Sequence, residues 1–150
     1  MKIKVEKISD KVIEVEEEIP ASSWGMDSSE LTFVNSICLK YKFFRAGEEI
    51  RVETLATTQR EIICSRCLDQ VRQTNQQSFK NTYKISELGD CLEVDRDIRE
   101  NILLNLPLKV LCREDCKGIC PLCGVNLNNQ ECNCQMKPGL TERSEHKSAG

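Results

Sequence analysis

Histidine is almost missing from this sequence. A single one, His146, stands against ten cysteines in 150 residues. Imidazole acid–base chemistry and mixed Cys/His metal sites are thereby nearly excluded, and any metal site is expected to be built from thiolates alone. Aromatic residues are scarce at 5%, so the core is expected to be modest. Long apolar runs are absent as well. None exceeds three or four residues, far short of the ~20 that a helix needs to cross a bilayer. Residues 1–18 mix lysines with acids and contain no apolar stretch of the secretory-signal kind, and their acidity argues against a transit peptide. A cytoplasmic protein without membrane association is expected. The seven glycines are scattered, with no phosphate-cradling loop and no nucleophile elbow. The acids Asp90, Glu93, Asp95 and Asp97 read as a solvated strand and a helix cap rather than paired catalytic carboxylates. Neither enzymatic activity nor a small-molecule substrate is expected.

Charge is segregated along the chain. The overall net of −3 conceals −4 over residues 1–30, +4 over 31–86, −4 over 87–106 and +1 over 107–140. A globally acidic chain is a poor non-specific ligand for nucleic acid, because phosphate affinity comes from local Lys and Arg. A basic middle between acidic flanks is nevertheless compatible with one positive face.

Hydrophobic periodicity predicts an α+β fold. Ile3 and Val5, then Val12, Ile13 and Val15, suggest one or two short strands. Pro20 to Ser29 reads as a loop holding Trp24 on the core. From Phe33 to Phe43, Ile37, Leu39, Tyr41 and Phe43 alternate with polar residues, the signature of a strand with one buried face. Ala46-Gly47-Glu48 turns the chain, Arg51 to Ile63 returns as a second long strand, and Val71 to Ile85 supplies a third, more polar run. The expectation is an antiparallel β-meander, open or closed into a barrel. One helix follows over Asp97 to Leu106, with Asp97 and Glu100 as a capping box, Ile98, Ile102, Leu103 and Leu106 on one face and Pro107 at its end. The chain divides into a β-rich unit over 1–106, a cysteine-rich segment over 107–137 packed on it, and a disordered tail over 138–150.

Clustered thiols in a reducing compartment point to metal ligands rather than disulfides. Cys120-Pro121-Leu122-Cys123-Gly124 has the form of a metal knuckle. Two residues between the thiolates let both sulfurs reach one tetrahedral ion at ~2.3 Å. Cys132 and Cys134 offer a second pair, and Val125 to Asn129 reads as a reversal in which asparagines supply positive φ. Cys64-Ser65-Arg66-Cys67, where a strand ends, forms a second set of four with Cys112 and Cys116. Two closed tetrahedral sites follow, with zinc as the default ion and iron as the alternative. Another partition, with Cys112 and Cys116 joining the knuckle, stays open. Cys38 and Cys91 read as small hydrophobes in or near a core.

The run Leu103-Leu104-Asn105-Leu106-Pro107-Leu108, the segment Leu111 to Asn128 with its CPLCG, and Cys132-Asn133-Cys134 closely resemble the YceD-like family. Cys64-Ser65-Arg66-Cys67-Leu68 is similar to that family's other hallmark, C-x-R-C-L at a strand end. The resemblance spans roughly residues 30–136. It implies a bacterial or organellar factor, not an enzyme, needed for accumulation or processing of large-subunit ribosomal RNA. Not all members keep the C-terminal cysteine cluster, so the resemblance shifts any general role toward the surface around Arg66.

On that footing, Lys40, Lys42, Arg45, Arg51, Arg66 and Arg72 are expected to form a positive face on the meander. Lys109, Arg113 and Lys117 would add cations at the knuckle. The expected partner is precursor large-subunit ribosomal RNA or a large-subunit ribosomal protein. The competing reading is a cytoplasmic thiol redox or redox-sensing protein that uses Cys64 and Cys67 as a dithiol. A third, a small zinc-ribbon regulator of transcription, is disfavoured by the acidic net charge.

Overall fold

The computed structural model describes residues 1–106 and 109–134. Among them the chain forms β1 (Lys2–Lys4), β2 (Ile13–Pro20), β3 (Leu31–Ala46), β4 (Glu49–Ile63), β5 (Gln70–Lys84), β6 (Cys91–Glu93) and α1 (Asp95–Leu104). Strands β2 to β5 make an antiparallel sheet in chain order, and β1 pairs with β6 in a second, two-stranded sheet. Both sheets are open. The fold is therefore the α+β meander form, not a closed barrel, with β2 and β5 left as edges. No helix among the described residues is long and apolar enough to cross a membrane.

Alternation decides which face is buried. On β3, Ile37, Leu39, Tyr41 and Phe43 point inward and are at most 1% exposed, while Cys38, Lys40 and Lys42 point outward. The neighbouring strand repeats the pattern with Ile50, Val52, Ala56 and Ile62 inside. Each large side chain removed from water here contributes ~1.5–3 kcal/mol. The Tyr41 and Phe43 rings stack with centroids 5.5 Å apart. Ile98 and Ile102 of α1 join this core with Leu92 and Val94. Gly47, at φ 64°, opens the two-residue turn between β3 and β4, the left-handed start that suits the twist of a hairpin.

Strand β5 carries little hydrophobic signal of its own. Its inward positions include Asn75, Gln77 and Asn81, all half-buried, and Phe79 alone is fully buried. It forms because β4 offers a continuous partner from Ile63 opposite Gln70 to Glu49 opposite Lys84.

Several expectations need correction. The helix begins at Asp95, not Asp97, and its N-cap, Val94, makes no side-chain cap. Asp97 instead accepts a hydrogen bond of 2.6 Å from the Tyr83 hydroxyl, so a tertiary contact takes the side chain that a capping box would have used. The helix ends at Leu104. Pro107 and the tail over 138–150 lie outside the described residues. Cys38 is exposed on the outer face of β3 rather than in the core, and Val12 is 55% exposed. The loop around Trp24 contains a 3₁₀ turn over Ala21–Trp24, where the Trp24 carbonyl accepts from Arg99 Nε at 2.8 Å.

Candidate metal centres

The first cysteine set is assembled where β4 passes to β5. The six-residue link closes on itself, with the Cys64 amide donating to the Asp69 carbonyl and the Leu68 amide to the Cys64 carbonyl, both at 2.9 Å. Leu68 holds φ 62°, a left-handed conformation that costs a branched residue ~1–2 kcal/mol. Two further thiols arrive from residues 110–116, which are docked on this link. The Ser65 amide and hydroxyl both donate to the Val110 carbonyl, at 2.9 and 3.1 Å. Gln73 Nε2 donates to the Leu111 carbonyl at 3.2 Å, and Arg66 Nη1 to the Cys116 carbonyl at 3.1 Å. Arg66 thus braces the two halves of the set. Leu111, Cys112 and Ile119 pack around buried Cys64, Cys67 and Cys116.

The second set is a knuckle on a short ribbon. The Gly124 amide donates to the Cys120 carbonyl at 2.9 Å, with Gly124 at φ 75° where a side chain would be strained. The Cys120 amide donates to the Val125 carbonyl, and Ile119 bridges Asn126. The Leu122 amide points at Cys120 Sγ (3.4 Å) and the Cys134 amide at Cys132 Sγ (3.1 Å).

Two groups of four result. In each, Cys64/Cys67/Cys112/Cys116 and Cys120/Cys123/Cys132/Cys134, all four sulfurs lie within 4.8 Å of one another. Sulfur–sulfur distances include 3.7 Å for Cys64–Cys116, 3.7 Å for Cys67–Cys112, 3.6 Å for Cys123–Cys132 and a shorter 3.2 Å for Cys120–Cys132. A tetrahedron with ~2.3 Å metal–sulfur arms has edges of ~3.8 Å. These spacings fit an enclosed ion and are too long for disulfides; all ten cysteines are free. With four thiolates per set, no coordination position is left for substrate.

The electrostatics agree with the donor set. Burial alone would raise the Cys64 thiol, but the backbone amides of Cys67, Cys112 and Arg66 overcome it and hold it at about 6. Amides of Cys123 and Leu122 lower Cys120 to about 6. Desolvation, then the neighbouring thiols, push Cys112 up to about 12. The thiols of Cys132 and Cys123, ahead of burial, raise Cys134 to about 12. Thiols packed this closely compete for protons, a conflict that a bound dication removes by displacing them.

Pattern reading missed the side chains that join the two centres. The reversal at Val125 to Asn129 contains no asparagine with positive φ. Its asparagines act through their amides instead. Asn126 Nδ2 donates to Asp69 Oδ2 at 2.5 Å, beside the first set. Asn128 Oδ1 accepts the Lys117 amide at 2.9 Å, while its Nδ2 donates to Cys116 Sγ at 3.3 Å. Gly118, at φ 77°, runs so close to the link that a Cβ there would sit 3.3 Å from the Arg66 carbonyl oxygen. An Asn-x-Asn between cysteine pairs was the available signal, and turn propensity explained it away.

The nine cations singled out by sequence fall into separate regions. Lys40 and Lys42 are exposed on the outer sheet face, but Glu16 and Glu14 pair with them at 3.0 and 3.2 Å. In register, Glu14, Lys42, Glu53 and Lys80 form a row of alternating sign across four strands, with Lys80–Glu53 at 3.3 Å. These pairs are exposed, so solvent and salt screen them. Arg72 pairs with Glu61 at 2.6 Å. Arg45, whose Nε donates to the Gly47 carbonyl at 3.0 Å, and Arg51 sit near the β3–β4 turn. At ~3.3 Å per residue, the length of β4 separates that turn from Arg66 by ~45 Å. Arg66, Lys109, Arg113 and Lys117 are all exposed in the segments that build the sulfur centres, and Arg113 is the member with an acidic partner there, Asp115 at 3.5 Å.

Residues 88–143 match the family described as large ribosomal RNA subunit accumulation protein YceD. This is narrower than residues 30–136: it takes in β6, α1 and seven of the cysteines but not Cys64 to Leu68. A relative from Arabidopsis thaliana, described as large ribosomal RNA subunit accumulation protein YCED homolog 1, chloroplastic, is 35% identical over 43 residues, covering 29% of this chain and 13% of that protein. The protein of the same description from Zea mays is 38% identical over 47 residues, 31% of this chain and 16% of its own length. An uncharacterized protein of Mycobacterium tuberculosis is 32% identical over 82 residues, 45% of this chain and 40% of that protein. The matched segments thus span well under half of each relative's length. No solved structure matches the chain. The segment at residues 88–143 is thus similar to the YceD family, and two of the relatives carry that family's description.

Proposed function

We propose that this chain is a non-enzymatic factor supporting accumulation of large-subunit ribosomal RNA, in which two zinc ions fix an end whose exposed Arg66, Lys109, Arg113 and Lys117 contact the precursor RNA. The observation that carries the reading is the pair of closed four-sulfur sets, six of whose eight cysteines lie in a segment similar to a family described by that role. Zinc bound by four thiolates supplies a rigid crosslink and no reactive water. Cys64, Cys67, Cys112 and Cys116 would hold one ion, and Cys120, Cys123, Cys132 and Cys134 the other.

Arg66, Lys109, Arg113 and Lys117 are the proposed principal phosphate contacts. They belong to segments that the metal makes rigid, so little ordering entropy is lost when RNA binds. Lys40, Lys42 and Arg72 would have to exchange a glutamate for phosphate, and Arg45 and Arg51 would reach a separate stretch of RNA. The proposed compartment is the cytoplasm or an organelle matrix, wherever precursor ribosomes are made. The dithiol alternative requires Cys64 and Cys67 to be reactive in native protein, whereas metal-held thiolates resist alkylation until a chelator is added.

The test is co-sedimentation of the tagged chain with ribosomal particles, with elemental analysis of the same preparation. Migration with immature large subunits and two zinc per chain are expected. Affinity for precursor RNA should fall steeply with salt, and the double variant Lys109→Glu/Lys117→Glu should weaken it at least tenfold, a larger loss than Lys40→Glu/Lys42→Glu causes. Protein that stays at the top of the gradient, or RNA binding indifferent to salt, rejects the proposal. Salt-indifferent capture of a large-subunit ribosomal protein would assign the contact to protein instead.

A further inference from the structure

We infer that the two sulfur centres load metal cooperatively, with Asn128 as the positioning residue that connects them. This rests on reading both sets as metal sites.

The connection is directional. Asn128 lies in the loop between Cys123 and Cys132, so closing the second set fixes that loop. Its side chain, however, serves the first set: Nδ2 donates to Cys116 Sγ at 3.3 Å. The amide orientation is set by chemistry, because Oδ1 accepts the Lys117 backbone N–H at 2.9 Å and nitrogen must therefore face the sulfur. The Asn128 amide donates to Asn126 Oδ1 at 3.0 Å, and Asn126 Nδ2 reaches Asp69 at the far side of the first centre. The Leu127 amide ties the same loop to the Gly118 carbonyl at 2.9 Å. One short loop thus grips both chain segments that supply the first set.

Little apolar burial holds that loop in place. Leu122 is 61% exposed, and Val125 and Leu127 are only half-buried. When the second set is open, Cys116 loses its N–H donor and Asp69 loses its tether. A donor to a metal-bound thiolate stabilises its charge, and partners of this outer kind are worth ~10–100-fold in metal affinity. By thermodynamic reciprocity, filling the first set must strengthen the second by the same factor.

The experiment uses the full chain loaded with ¹¹³Cd as the probe and followed by cadmium NMR, where each four-sulfur site gives its own resonance. The variant Cys123→Ser/Cys132→Ser assigns them. A chelator titration then reads the affinity of each site separately. In that variant the first site should bind at least tenfold more weakly than in the parent. Asn128→Ala should weaken the first site by a similar factor while both resonances remain. Asn128→Asp, which keeps the acceptor for Lys117 but removes the donor, should do no better than alanine. In the Cys123→Ser/Cys132→Ser background, Asn128→Ala should change the first-site affinity less than twofold. Two resonances with a first site indifferent to both the serine and the alanine changes would overturn the coupling and leave the metal sites standing. Absence of any thiolate-bound cadmium would overturn both.

Discussion

Removing the metal should dissolve one end of this protein and leave the other intact. The sheet core contains no sulfur ligand: Ile37, Leu39, Tyr41, Phe43, Ile50, Val52 and Ile62 are essentially inaccessible to water. At ~1.5–3 kcal/mol each, these seven contribute ~10–20 kcal/mol of burial that a chelator does not touch. Among the described residues, Leu111 and Ile119 supply the aliphatic packing around the first sulfur set, and both are half-buried, worth ~1 kcal/mol each. Fixing the backbone of residues 109–134 costs ~1–2 kcal/mol per residue, some tens in all, so the ions must supply much of the balance. Hydrogen exchange read by mass spectrometry, before and after chelation, tests this directly. Amide protection in β3 and β4 should persist, while protection in residues 109–134 and in the Cys64–Asp69 link should fall to near that of unfolded peptide. Demetallated protein, verified by elemental analysis, that retains protection in 109–134 would refute the reasoning. Loss of β3 and β4 together with that segment would refute it equally.

Other expectations are narrower. Tyr41 is a buried phenol and Tyr83 a half-buried one, and both are raised above their ordinary value, Tyr41 first by desolvation and then by Glu17, Tyr83 by desolvation and by its bond to Asp97. The stability this confers is fully present below the unfolded value of ~10 and is lost as pH climbs toward the folded one. Native protein should therefore show almost no phenolate absorbance at a pH where urea-unfolded chain has ionised; coincident titrations would contradict the burial. Gly118→Ala should destabilise the metal end by ~1–3 kcal/mol, through its left-handed φ and the close Arg66 carbonyl, seen as easier zinc loss to a chelator. Arg60 is 8% exposed, and its Nε and Nη1 find no acceptor among the described residues. Arg60→Met keeps the stem and removes the stranded donors, so the unfolding free energy read by urea titration should hold or rise, by up to ~1–3 kcal/mol; a clear fall would reveal a partner for the guanidinium. Arg66→Ala should loosen the bond to the Cys116 carbonyl and speed metal loss, and Arg66→Lys should restore it only partly, since a lysine lacks the planar fork.

The elements easiest to read were those in which one residue type settles one question. Ile37, Leu39, Tyr41 and Phe43 announce a half-buried strand by period alone, and CPLCG announces a knuckle because few other demands place two thiols around proline and end in glycine. Strand β5 was hard to read because its partner creates it: Asn75, Gln77 and Asn81 are inward through pairing with β4, not through their own hydrophobicity. The helix start was misread because Asp97 had two available bonds and the tertiary one, to Tyr83, prevailed. Lys40 and Lys42 look like a basic face in one dimension. Their neutralisation by Glu16 and Glu14 depends on the β2–β3 register, which a linear pattern does not contain. The contacts of Asn126 and Asn128 were invisible for the same reason, since Asp69 lies 57 positions away from Asn126.

The first sulfur set joins Cys67 to Cys112, 45 positions apart in the chain. Between them run β5, β6 and α1, so an ion there ties a lasso around nearly a third of the molecule. A covalent bridge closing a loop of that size removes ~4 kcal/mol of freedom from the unfolded chain. An ion held by these four thiols would let the knot be tied and untied by metal exchange, without an oxidant. In a cell that keeps its thiols reduced, this is a way to have the rigidity of a cystine-stapled protein at one end of an otherwise ordinary sheet.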